Sequence, residues 1–372
     1  MSGLHGPGER PRGGFSQLTS GLSLAEAASW WDLETTFHDT CSYGPPPRPA
    51  WEALQTSLDQ WRHGLTPWQS WAESVQAARE SFGLMVGISP ERVATGAAVS
   101  QMLAPVAAAV PDGGTVLVPD IEFTSAVFPF AVHADRGVTV RTAPMASLVE
   151  AIDEQTSLVS FSAAQSATGE VADIVAITQR AREVGAVTVL DTTQAAGWLP
   201  VRATDVDFLT VAAYKWLCAP RGTAFLTAHA DLAVRHPLFA ARLKPLAAGW
   251  YAGQPGAHYG MPLRLAEDMR AFDISPAWHS WVGTAVALDV LNAVGVERIH
   301  QHNVALANSF RASLGLEASN SAIASVSVSE AAQRRMREAG IRFSVMDGRA
   351  RFSFHLYNTQ DDVERVLARI RG

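Results

Sequence analysis

Asp191 and Lys215 are the residues whose type and placement most directly suggest chemistry. Asp191 follows the apolar run Ala186–Leu190, and Lys215, twenty-four residues later, follows a second run, Asp207–Ala213. Both runs are short, rich in Val, Leu and Phe, and bounded by turn residues, the pattern of buried strands. The ends of such strands open onto the crevice in which open α/β sheets bind ligands. Taken singly, an Asp after a strand often serves as a helix cap or turn former, and a Lys there as a solvated edge residue. The neighbours of Lys215 alter that balance. Tyr214, Trp216, Leu217 and Cys218 set a charge among apolar and aromatic groups, where charged residues are rarely left without a use. An amine in such surroundings loses its proton more readily and is a better nucleophile. A carboxylate and an amine delivered from neighbouring strands suit pyridoxal phosphate, which takes a lysine for its Schiff base and an anion for its pyridinium nitrogen.

These residues need a sheet and helices to hold them. The runs Gly114–Pro119, Val138–Thr142 and Ser157–Ser162 are expected as strands, and Asp120–Ser125 as the start of a helix with a capping residue. The helix Ala172–Val184 then returns the chain to the strand before Asp191, which makes a βαβ unit. Thr95–Ser100 is a small-residue turn entering a helix. Free amides and the dipole at a helix start favour a phosphate there, and tight packing is the competing use. Leu22–Leu33 and one or two helices over Trp51–Phe82 carry tryptophans at helical spacing, read as core or dimer contacts. Phe37–Pro47 is a short extended piece ended by a proline turn. Val282–Ala293 begins a further helix. His300 and His302 do not share a helix face and are read as solvated. Ile323–Val328, Phe343–Val345 and Arg351–Phe354 are expected as strands of a small domain closed by a helix over Thr359–Ile370.

The block Asp191–Thr192–Thr193–Gln194, with Tyr214–Lys215–Trp216 and Pro220–Arg221–Gly222, resembles the class V aminotransferase fold of pyridoxal phosphate enzymes. That group includes kynureninase, cysteine desulfurases and isopenicillin N epimerase. The resemblance runs from about Phe37 to about Ile370. It implies an α/β architecture: a three-layer large domain with a mostly parallel sheet, over 22–285, and a small C-terminal α+β domain over 286–372. It implies Lys215 as the catalytic, cofactor-bearing residue, Asp191 at the ring nitrogen and Gln194 at the ring oxygen. It places the phosphate at Ala97 and Ala98, where hydroxyl residues common in the family are missing, as one is at Ala212. Phe123 matches the residue stacked on the ring, with a core role as the alternative, and Tyr214 a phosphate contact. Ser166 or Gln165 matches a side chain near the ring hydroxyl. Trp250 and Ser275 match residues that reach the phosphate from the other subunit of a homodimer with shared active sites. Thr40, Ser42 and Tyr43 are substrate-contact candidates. Arg351 matches the arginine that binds the substrate α-carboxylate, a bidentate task suited to guanidinium; Arg349, on the same side of the strand, is its rival.

The implied function is an enzyme that takes an amino acid as an external aldimine and cleaves a bond at Cα or Cβ. A β-elimination lyase is favoured over an aminotransferase and over a non-catalytic member of the fold. The stretch Gly340–Gly348 is short and has no cysteine, which disfavours a persulfide-forming desulfurase.

Bulk properties agree with an enzyme of small molecules. The net charge of −7 argues against nucleic acid or an anionic membrane as partner. With 48% apolar and 17% charged residues, the 372-residue chain can bury a large core. Two cysteines, Cys41 and Cys218, give no disulfide framework and point to the cytoplasm. No ligand spacing suggests a metal. Residues 1–21, rich in Gly, Pro and Arg, are expected as a flexible arm with no secretory signal.

Overall fold

The computed structural model describes residues 21–372. The arm expected over 1–21 therefore lies, Gly21 apart, outside the described residues.

The strands in chain order are β1 (Thr36–Phe37), β2 (Val93–Gly96), β3 (Thr115–Pro119), β4 (Thr139–Ala143), β5 (Thr156–Ser162) and β6 (Val187–Asp191). There follow β7 (Phe208–Ala212), β8 (Ala224–Ala228), β9 (Ile323–Val326), β10 (Ile341–Arg342), β11 (Ser344–Met346) and β12 (Arg349–Ser353). Seven of them form the main sheet, in the order β2-β8-β7-β6-β5-β3-β4. Strands β7 to β4 along that order run parallel, and β8 is antiparallel to both its neighbours.

Side chains alternate across this sheet with the period of two that the pleat imposes. On β7, Phe208 and Ala212 face one layer, which holds Met102 and Val106 of the helix Val99–Ala109. Leu209 and Val211 face the other, with Ile177 of the helix Ile174–Val184, and Trp281 and Leu288 of the helix Trp278–Val294. Helices on both faces make the three layers expected for a mostly parallel sheet. Beyond the last of these helices, β11, β12 and β9 form a second, three-stranded antiparallel sheet. Phe310, Phe352 and Phe354 fill its own core.

Several local expectations need correction. The helix expected over 22–33 spans only α1 (Leu24–Ala28). The segment 51–82, expected as one or two helices, is two, α2 (Arg48–Arg62) and α3 (Trp68–Val86), parted by Gly64 and Pro67, as that expectation allowed. Trp51, Trp61 and Trp68 are 52%, 59% and 42% exposed in the single chain, so of the two expected uses, core or dimer contact, the first does not hold for them. After β3 the chain makes a 3₁₀ turn, Thr124–Ala126, and then a one-turn helix, Phe128–Ala131, with no side-chain cap on either. His300 stacks on Trp198 at 5.9 Å, and His302 Nε2 meets the Asn358 carbonyl at 3.0 Å, so neither is simply solvated. Phe343 separates β10 from β11 instead of opening one strand.

The extended piece near residue 37 reaches across to the small sheet. Thr36 and Phe37 pair with Ile341 and Arg342. The His38 amide donates to the Arg342 carbonyl at 2.8 Å, and the Ser353 amide donates to the His38 carbonyl at 2.9 Å. The next turn then lies against the loop after β7, where the Gly44 amide donates to the Tyr214 carbonyl at 2.8 Å. A Cβ on Gly44 would overlap the Lys215 carbonyl oxygen, so only glycine fits.

Candidate active site

Strand register gathers the candidate residues at one edge of the main sheet. Asp191 ends β6 opposite Ser162 of β5. Ala212, ending β7, pairs with Ala224 at the start of β8, and Ala224 pairs with Gly96 at the end of β2. The turn Ala97–Ala98 then opens a helix, α4 (Val99–Ala109), whose N-cap Ala98 has no side-chain oxygen to offer. Between these strand ends lies a cavity of about 180 Å³. Its lining includes Ala97, Ala98, Phe123, Ser166, Asp191, Gln194, Tyr214 and Lys215.

Lys215 is 6% exposed. Its amine stands 5.2 Å from the centre of the Phe123 ring and 5.8 Å from that of Tyr214. Among the described residues it has no hydrogen-bond acceptor. Burial lowers its pKa from the ordinary lysine value, and the charges of Arg351 and Arg221 act in the same direction. Asp191 is raised to about 6, first by burial and further by the Glu122 carboxylate, although the Thr193 amide donates to its Oδ1 at 2.8 Å. A buried, unpartnered amine and a buried carboxylate short of a cation are both costly without a ligand.

Gln194 is held at both ends of its amide. Its Nε2 donates to the Cys41 carbonyl and to Ser166 Oγ, each at 3.0 Å, and its Oε1 accepts from Trp216 Nε1 at 2.9 Å. Ser166 Oγ also accepts from Arg351 Nη1 at 3.0 Å, which leaves its own O–H free to donate. Gln165 is turned away from the cavity, with Nε2 on Glu122 at 3.0 Å.

Arg351 is 3% exposed. Its guanidinium reaches Ser344 Oγ at 2.9 Å, the Ser166 carbonyl at 2.5 Å and Ser42 Oγ at 3.3 Å. No carboxylate pairs with it among the described residues, and its proximity to Cys41 and Lys215 is felt by both groups. Arg349 is exposed and spent on Ser325 and Ser327.

Other candidates stand apart from the cavity. Thr40 is fully buried and its hydroxyl is taken by the Tyr357 hydroxyl at 2.5 Å. Ser42 and Tyr43 line a neighbouring, mostly apolar cavity of about 430 Å³ that shares Tyr214 and Arg221 with the first. Trp250 packs among Trp68, Tyr251 and Trp278 and does not line this chain's cavity. Ser275 is exposed beside Asp273.

A family model for class-V aminotransferases matches residues 62–337. The chain belongs to that family. Its cofactor is pyridoxal phosphate, and it is an enzyme. The chain is 27% identical over 352 residues to an uncharacterized aminotransferase, YcbU, of Bacillus subtilis (strain 168), covering 89% of this chain and 92% of that one. It is 27% identical to the isopenicillin N epimerase of Amycolatopsis lactamdurans, covering 89% and 93% of the two chains. The solved structure of a cystine C–S lyase, C-DES, in complex with its product cysteine persulfide superposes with a TM-score of 0.81 over 91% of this chain and 97% of that one, at 21% identity. It shares the fold.

This member's cavity fits the family's cofactor in two ways: a buried amine without an acceptor faces it, and a buried carboxylate short of a cation borders it. Two neighbours of that cavity carry no obvious sequence signal. Glu122 is buried and accepts from the Phe123 amide at 2.8 Å, the Ser162 amide at 2.8 Å, Ser162 Oγ at 2.5 Å and Gln165 Nε2 at 3.0 Å. It fixes Phe123 over the cavity. Its place directly before Phe123 is the one hint in the sequence. Arg221 lines both cavities, and its position in a Pro–Arg–Gly turn just after the lysine loop is the corresponding hint.

Proposed function

We propose that this enzyme binds an amino acid by its α-carboxylate and eliminates a β-substituent, without passing sulfur to a protein cysteine. The observation that carries the reaction class is the placement of the thiols. The chain has two cysteines, both fully or almost fully buried, and burial raises the pKa of each. The stretch Gly340–Gly348 is taken up by β10, β11 and the turn into β12, and no thiol lies on it. A persulfide carrier needs an accessible, readily ionised thiol.

The chemistry that pyridoxal phosphate supplies when bound is a sink for the electron pair released at Cα. Lys215 would be the attachment point, and its amine would serve as the base for the Cα proton. Burial lowers its pKa, in the direction a base requires. Asp191 holds a proton toward the ring nitrogen. Phe123 would cover one face of the ring, and the Ser166 hydroxyl, held by Gln194 Nε2 at 3.0 Å, would donate to the ring oxygen. Arg351 binds the substrate carboxylate, the anion its buried charge lacks. The same Ser166 Oγ touches Arg351 and Gln194, so substrate and ring are oriented through one hydroxyl. Trp250 and Ser275 contribute only if a second copy brings its own pair to this cavity.

The test is product analysis with β-substituted amino acids. Release of a keto acid and ammonia without an acceptor supports elimination. Turnover only with a keto-acid acceptor supports transamination, the reading favoured by the likeness to the uncharacterized aminotransferase.

A further inference from the structure

We propose that Arg221 is the side-chain cation that holds the cofactor phosphate, beside a turn at Ala97–Ala98 that has no side-chain hydroxyl to offer. The inference rests on the cofactor reading of Lys215.

At the β2, β8 and β7 end of the cavity Ala97, Ala98, Ala212 and Gly222 bring no polar side chain; the hydroxyls that also line the cavity include those of Tyr214, Ser125 and Thr193, the last already accepting from the Ala212 amide at 3.0 Å. One backbone donor is already used, since the Ala97 amide donates to Gln101 Oε1 at 3.0 Å. The amides at the start of α4 carry partial charge only. A full cation adds to them for a phosphate dianion, and guanidinium matches its oxygens with paired N–H groups.

Arg221 is the cation in reach. The register Gly96–Ala224–Ala212 sets three strand ends in one row. Arg221 and Gly222 lead into the middle strand of that row, so they lie beside the Ala97–Ala98 turn, and all four residues border the same cavity. The guanidinium stacks on the Tyr214 ring, 4.0 Å from its centre, which fixes the side chain. Among the described residues no carboxylate pairs with Arg221. The opposite end of the cavity carries Asp191 and Ser166, so the polarity runs from an anionic end for the ring nitrogen to a cationic end. Lys215, between them, is the independent sign of a ligand: a buried amine, without an acceptor, directed into the same space.

The experiment compares two aldehydes on cofactor-free protein: pyridoxal phosphate, and pyridoxal, which lacks the phosphate. Binding is read from the absorbance band formed with Lys215. In Arg221→Gln the affinity for pyridoxal phosphate should fall about 10–100-fold, the range for one charge-assisted hydrogen-bonding group, while pyridoxal binds as in the wild type. Arg221→Lys should recover part of the loss. An unchanged affinity for pyridoxal phosphate overturns the proposal, and so does an equal loss for both aldehydes, which would mean a structural role. If wild-type protein forms no band with either aldehyde, the cofactor reading of Lys215 fails and the proposal with it; that outcome is distinct from loss in Arg221→Gln alone.

Discussion

Arg79 Nη2 meets Asp273 Oδ2 at 2.6 Å with both side chains almost fully buried, 194 residues apart in the chain. Asp273 Oδ1 also accepts from the Thr95 amide at 2.7 Å, and Arg79 donates to the Val93 carbonyl. Burial pushes the Asp273 carboxyl up, while Arg79 and the Thr95 amide pull it down. The pair thus ties α3 and the loop before Trp278 to the strand that ends at the Ala97–Ala98 turn. Asp273→Ala leaves a buried guanidinium uncompensated and should destabilise the protein by about 3–5 kcal/mol. Urea unfolding checks this; a loss below about 1 kcal/mol would show that water replaces the carboxylate.

Asp191→Asn should have opposite effects with and without cofactor. The carboxyl has a folded pKa of about 6 against an ordinary value of 3.8. Below pH 4 both states keep the proton and nothing is gained or lost. Between pH 4 and 6 the unfolded chain releases it first, so stability falls as pH rises, and the penalty is constant above 6. Asn carries no such penalty and should stabilise the cofactor-free protein at pH 8 by at most about 3 kcal/mol, but not at pH 4. The loaded variant should lose cofactor more readily. Thermal melts at the two pH values, with and without pyridoxal phosphate, separate these effects.

Lys215→Ala should abolish the absorbance band that pyridoxal phosphate forms with the wild type and lower turnover by several orders of magnitude. A variant that keeps the wild-type band would move the attachment point elsewhere.

Arg351→Gln should raise KM for amino acids, with kcat/KM falling about 10–100-fold for the lost charge-assisted contacts. Amines without a carboxylate should be unaffected. Equal losses for amines and amino acids would assign Arg351 to holding Ser166 and Ser42 instead.

Gly44→Ala tests the close approach of the N-terminal turn to the lysine loop. The added methyl overlaps the Lys215 carbonyl oxygen, so either chain must move. Overpacking of this kind costs about 1–3 kcal/mol, and the band at Lys215 should shift as its backbone is displaced.

The order of elements and the Asp191–Lys215 block were legible because each rests on local pattern: short apolar runs, turn residues and an out-of-place lysine. Ser166, Gln194 and Phe123 reached the same cavity because they follow the same strand ends. Thr40 was not legible, since its hydroxyl is settled by Tyr357, 317 residues away. Glu122 escaped notice because its partners Ser162 and Gln165 belong to another strand and its loop. Trp51 and Trp61 keep helical spacing yet remain exposed, because periodicity reports a face and not what covers it.

The pairing of Thr36–Phe37 with Ile341–Arg342, and of His38 with Ser353, has a consequence for synthesis on the ribosome. Strands β2 to β8, with Asp191 and Lys215, are complete once residue 228 has been made. Thr36–His38 must wait for more than a hundred further residues before Ile341, Arg342 and Ser353 emerge, although Gly44 can already meet Tyr214. The nascent chain therefore completes the strand ends that carry Asp191 and Lys215 first, and the pairing that anchors its N-terminal segment to the small sheet last.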